Sequence, residues 1–140
     1  AYEITTLENA HQHIGMGMIG EFAEALTEDE FLSKLKNTFH TGVIRHSERI
    51  GKSIQKVAVL GGSGSFAISA AKAQGADAFV TADLKYHDFF AAEKELLLAD
   101  IGHYESEQYT KELLVAHLTK KITNFAVVLS KVNTNPISYY

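Results

Sequence analysis

The chain has 140 residues, 46% of them hydrophobic, a formal net charge of −4 and no cysteine. That is enough for one globular domain over residues 1–140 with its own core, and a second is not expected. The 13 basic residues are scattered, which makes nucleic acid a poor partner; without cysteine there are no disulfides or thiolate ligands, so any metal must be held by nitrogen and oxygen, and a reducing, cytoplasmic setting is the expectation.

The elements alternate along the chain. A strand near Tyr2 to Thr6 is followed by a Gly-rich, His-containing loop, Asn9 to Gly20. Ala1 stands at the start of that strand with no initiator Met, and the expectation is that an amino-terminal part is missing. Thr27 with Glu30 fits a capping box for a helix running to about Phe39, and a short strand near Val43 to His46 comes next. Three strand–helix units then repeat one theme. Lys56–Leu60 precedes Ser65–Gln74, Ala78–Thr81 precedes Tyr86–Glu95, and Leu96–Ile101 precedes Tyr104–Lys120. A last strand, Asn124 to Ser130, closes the series, and Pro136 lies in a turn beyond it. Short, nearly continuous apolar strands separated by helices predict an α/β fold: a mostly parallel sheet with helices on both faces. No apolar run approaches the roughly 18 residues of a membrane span and no signal peptide is present, so no membrane partner is expected.

In a parallel sheet the loops that follow the strands emerge on one edge, and ligands bind there. Gly61 to Ser65 occupies the first such loop, Asp83 to His87 the second and His103 to Glu107 the third. His103 and Glu107 stand one helical turn apart, an imidazole and a carboxylate suited to Zn, Mn or Fe, and Gly102 lets the chain turn sharply before them. Two ligands do not complete a metal site. Gly62, Ser63, Gly64 and Ser65 can cradle an anion or phosphate at a helix start, with Lys85 as a further candidate, or can form an ordinary tight turn. The same letters, Gly62 to Ala67, fit a dinucleotide fingerprint with Asp83 as the ribose carboxylate, an alternative that leaves the His103 and Glu107 pair unexplained. Asp83 and His87 also suit a plain helix start. His11 and His13 read as solvated, and His40, His46 and His117 stand singly.

Taken together, Val57 to Ser65, Gly75 to His87, the Gly102-His103-Tyr104-Glu105-Ser106-Glu107 motif and Asn133-Thr134-Asn135-Pro136 resemble, in order, the carboxy-terminal half of the Nif-three-like family, whose members are often labelled GTP cyclohydrolase 1 type 2 homologues. The resemblance implies one lobe of a two-lobed fold with two divalent metal ions between the lobes. It carries the family's carboxy-terminal His and Glu ligands onto His103 and Glu107. The remaining ligands, a His-His pair and an Asp, belong to the amino-terminal half, and this chain has no His-His pair. Ala82 stands where Gly is common and Met18 where Arg is common. The resemblance further implies a homo-oligomer, a metal-dependent hydrolase when intact, metal bound weakly or not at all by this fragment, and a nucleotide or phosphorylated small molecule as the ligand. His87 is the candidate acid–base or orienting group. A metal-holding scaffold or a partner-binding protein, without catalysis, is the alternative.

Overall fold

The computed structural model describes residues 2–5 and 15–140; His11 and His13 lie outside the described residues. Six strands form one mixed sheet: β1 (Tyr2–Thr5), β2 (Gly17–Leu26), β3 (Arg45–His46), β4 (Ile54–Ser63), β5 (Ala78–Ala82) and β6 (Leu97–Asp100), in the order β1-β2-β4-β5-β6-β3. The centre, β4-β5-β6, is parallel, with Val59 opposite Val80 and Val80 opposite Ala99. The flanks are antiparallel: β1 on β2, β2 on β4, and β3 on β6. The α/β reading therefore holds, with its parallel part confined to the centre. Every residue of β5 and β6 is buried, as the continuous apolar runs require of strands covered on both faces.

Alternation along the strands sends side chains to two cores. Ala58, Leu60, Phe79 and Leu98 pack with Ile68 and Ala71 of α2 (Ile68–Ala73). Val57, Val80, Leu97 and Ala99 pack with Phe31 and Leu35 of α1 (Glu28–Phe39) on the other side. The capping box that starts α1 is present: the Glu30 amide donates to Thr27 Oγ1 at 3.2 Å and the Thr27 amide to Glu30 Oε2 at 2.8 Å.

The later elements depart from the sequence expectation in instructive ways. The stretch after β5 is a 3₁₀ segment, Tyr86–Ala92, ended by Glu93 and Lys94 at positive φ. The long helix expected over 104–120 is two helices, α3 (His103–Glu107) and α4 (Thr110–Lys121). The break falls where the chain is tied to the end of α1, since Gln108 Nε2 donates to Phe39 O and the Tyr109 hydroxyl to Thr38 O, both at 2.8 Å. The strand expected at Asn124 to Ser130 does not form, and Phe125 and Val128 are exposed there. Strands need a ladder partner. The open side of β6 is already taken by β3.

Candidate functional site

The carboxyl ends of β4, β5 and β6 lie side by side, so the three loops that follow them share one edge. Asp100, at the end of β6 and 4% exposed, organises that edge. Its Oδ2 accepts from the Leu84 amide at 2.9 Å and from Arg45 Nη2, and its Oδ1 accepts from the Gly102 amide at 3.1 Å. Arg45 also donates to Leu84 O at 2.8 Å. One carboxylate thus pins the loop after β5, the turn after β6 and the edge strand β3. Gly102, at φ +92, makes the turn into α3, and Thr81 Oγ1 donates to Gly62 O at 3.0 Å to hold the first loop against the second.

On this frame His103 is fixed through both ring nitrogens. Its Nδ1 lies 2.6 Å from Asp83 Oδ2, and its Nε2 faces Glu107 Oε2 at 3.2 Å. Asp83, at φ +56, also accepts from Ser63 Oγ at 2.5 Å. Ser106 Oγ donates to His103 O and accepts from the Gly62 amide, both at 2.8 Å. Gly62, at φ +69, presses its bare Cα against the pair: a Cβ there would come within 2.6 Å of Glu107 Oε1 and 3.3 Å of His103 Nε2. His103 and Glu107 are about half exposed, so the pair is open to a ligand. The hydrogen bond to Asp83 raises the His103 pKa above the ordinary histidine value, with burial opposing and the charges of Asp83 and Glu107 adding to the rise. The Ser63 hydroxyl, and then His103, hold the Asp83 carboxyl below the usual carboxylate range.

This arrangement fits the donor set of a metal centre in part. A ligating imidazole has one nitrogen held by a carboxylate and the other turned toward the ion; His103 Nδ1 is held by Asp83, and its Nε2 faces the Glu107 carboxylate, where an ion would have to come between them. Among the described residues no group of three or more His, Asp or Glu side chains gathers to hold an ion. His103 and Glu107 therefore stand as an exposed imidazole–carboxylate pair and, among the described residues, not as a closed site.

The other expected residues take varied places. Gly62 and Ser63 belong to the His103 network; Gly64 accepts from the Ala67 amide at 3.0 Å, and exposed Ser65 opens the short 3₁₀ turn Ser65–Ala67. Lys85 is exposed and its amide donates to Asp88 Oδ2 at 2.7 Å. His87 sits in an exposed aromatic cluster, its ring 5.1 Å from Tyr86 and 6.3 Å from Phe90, and has no hydrogen bond to the His103 network. Asp83, the ribose candidate, instead directs its Oδ2 to both Ser63 and His103. Asp83 as the partner of His103, Ser106 as a clamp and Asp100 as the frame are the roles that sequence reasoning missed. The available signal was their position, each a polar residue within a few places of a strand end. The Thr134-Asn135-Pro136 stretch lines one cleft together with His103 and Glu107, and Asn135 Nδ2 donates to Glu105 Oε1 at 3.3 Å.

A family model described as Duf34/NIF3 (NGG1p interacting factor 3) matches residues 2–136. The chain belongs to this family. Among its relatives, a Staphylococcus epidermidis protein named "GTP cyclohydrolase 1 type 2 homolog" is 36% identical over 135 residues, which is 94% of this chain and 37% of that protein. A Halalkalibacterium halodurans protein of the same name is 35% identical over 143 residues, 99% of this chain and 38% of that protein. The Staphylococcus aureus protein SA1388, known from a crystal structure, superposes with a TM-score of 0.78 at 32% identity over 90% of this chain and 42% of that one. A Bacillus cereus protein related to NIF3 gives the same TM-score of 0.78 at 30% identity over 96% of this chain and 38% of that one. The NIF3-family segment described here thus spans well under half the length of these relatives. Among its described residues no helix is long and apolar enough to cross a membrane.

Proposed function

We propose that this chain contributes His103 and Glu107 to a dinuclear divalent-metal centre, completed by residues outside these 140, and that the whole protein is a metal-dependent hydrolase. The observation that carries the reading is His103 Nε2 facing Glu107 Oε2 at 3.2 Å while Nδ1 is anchored on Asp83 at 2.6 Å. Asp83 keeps the proton of the neutral ring on Nδ1 and leaves the Nε2 lone pair toward Glu107. Glu107 has two oxygens and so can serve two ions. Zn, Mn or Fe in this place would supply electrostatic activation of water and a clamp on substrate oxygens. The residues of this chain orient the ligands, and the bare Gly62 Cα leaves space beside them.

Two further features support a site shared with more protein. The helix α4 buries none of its residues, and Leu113 and Leu114 are 71% and 55% exposed, an apolar surface suited to a covering lobe. The relatives named above are also more than twice as long as the portion matched. A homo-oligomer is part of the same proposal.

The test is reconstitution. Joined or co-expressed with the remainder of its own reading frame, the protein should bind two metals per assembled chain, and hydrolysis of GTP or of simple phosphate esters should fall by about 10²-fold or more on Glu107→Gln, which keeps the side-chain size and removes its charge. Two bound metals with no turnover of any such ester would favour the scaffold reading instead.

A further inference from the structure

A cleft of about 590 Å³ runs along the helical side of the site, between α3–α4 and the irregular stretch from Ser130 to Ile137. Its volume lies in the range that takes a small organic molecule. His103 and Glu107 stand on its wall, and Lys111, four residues beyond Glu107, follows them. Leu114, Val132, Pro136 and Ile137, with the ring of Tyr104, form the apolar part of the wall, and uncharged polar residues, Thr134 and Asn135 among them, line the rest.

Lys111 is the informative residue. It is half-buried, and its Nζ reaches only the Ser130 carbonyl, at 3.4 Å. Among the described residues no carboxylate lies within ion-pair distance of it, and what sets it apart from the other lysines without such a partner is its place on the wall of this cleft. An ammonium on the wall of a cleft, bonded only to a carbonyl, offers an anion a charge-assisted hydrogen bond there. The glycine loop is less suited to that role, because the Gly62 amide and the Ser63 hydroxyl are already bonded to Ser106 and Asp83.

We propose that this cleft binds a small organic anion, a phosphate or carboxylate carried on an apolar body, with the anionic group on Lys111 and the body against Leu114, Val132 and Ile137. The proposal deepens the metal reading by naming what is brought to the ligand pair, but the anion contact itself requires no metal. Its test is therefore made in chelator, on the full 140-residue chain, by following backbone amide resonances during titration with phenyl phosphate, benzoate and uncharged phenol. Saturable binding of either anion, with shifts at Lys111, Leu114 and Val132 and an affinity at least ~10-fold above that of phenol, supports the site, and the tighter anion identifies the headgroup. Lys111→Gln should lose about 10-fold for the anions and nothing for phenol, while Lys111→Arg should retain binding. Leu114→Ala, at an exposed position, should weaken all three probes. Shifts centred on Ser63 to Ser65, unchanged anion affinity in Lys111→Gln, or no saturable binding would each overturn the proposal. A separate zinc titration of the same sample tests the metal reading, so the two can fail independently.

Discussion

Gly62 shows how one missing side chain makes room for two others. With φ at +69 and Glu107 Oε1 2.6 Å from the place of a Cβ, Gly62→Ala meets both backbone strain and a clash. The strain alone is worth roughly 1–2 kcal/mol. Thermal unfolding should register a loss of that order, and divalent metal should bind more weakly still; an unchanged melting temperature would contradict the described contact. His103 offers a second test at this scale. Its charged form is favoured by the bond to Asp83, so in metal-free protein it should titrate above the ordinary histidine value of 6.5. The sign follows from the folded pKa being raised: the pairing adds stability fully below the unfolded value and loses it as pH rises through the folded one. Asp83→Asn should bring the His103 midpoint down, read by imidazole proton resonances, and should weaken metal binding by about 10–100-fold. A midpoint that stays put would remove Asp83 from its assigned part. The juxtaposition of His103 and Glu107 was legible in the sequence because i and i+4 spacing on a helix is a local relation. Asp83 was not, since its contact with His103 depends on how β5 and β6 align, and two other readings of that carboxylate, ribose ligand and helix start, were open.

At the scale of elements, the central strands were the most legible, because full burial of β5 and β6 leaves unbroken apolar runs, whereas β2 was missed, its first residues, Gly17 to Gly20, having the composition of a loop. The start of α1 was legible too, since Thr27 and Glu30 are a chemical signature; Thr27→Ala should destabilise the fold by about 1 kcal/mol in denaturant unfolding. The break between α3 and α4 was hidden, because it follows from Gln108 and Tyr109 reaching the end of α1, 69 and 71 residues away in sequence. The 124–130 stretch failed for a related reason, its Phe-Ala-Val-Val-Leu run being strand-like while no free ladder partner stands beside β6. Asp100 links the elements. Asp100→Ala leaves the Leu84 and Gly102 amides and Arg45 without their acceptor, and a loss of about 3 kcal/mol should follow. A cost under ~1 kcal/mol would mean that water or another group replaces the carboxylate.

For the whole molecule, a two-sided core stands beside an α4 that buries nothing, and the His103–Glu107 pair stands alone where a firm metal site would require about three or more ligands. Both features follow if these 140 residues carry one part of a shared centre. The most direct measurement is a calorimetric titration of zinc and manganese into the chain and into His103→Ala and Glu107→Ala. Weak binding that either substitution abolishes is the expected result. Submicromolar affinity that survives both substitutions would contradict the account, since the metal would then be held elsewhere.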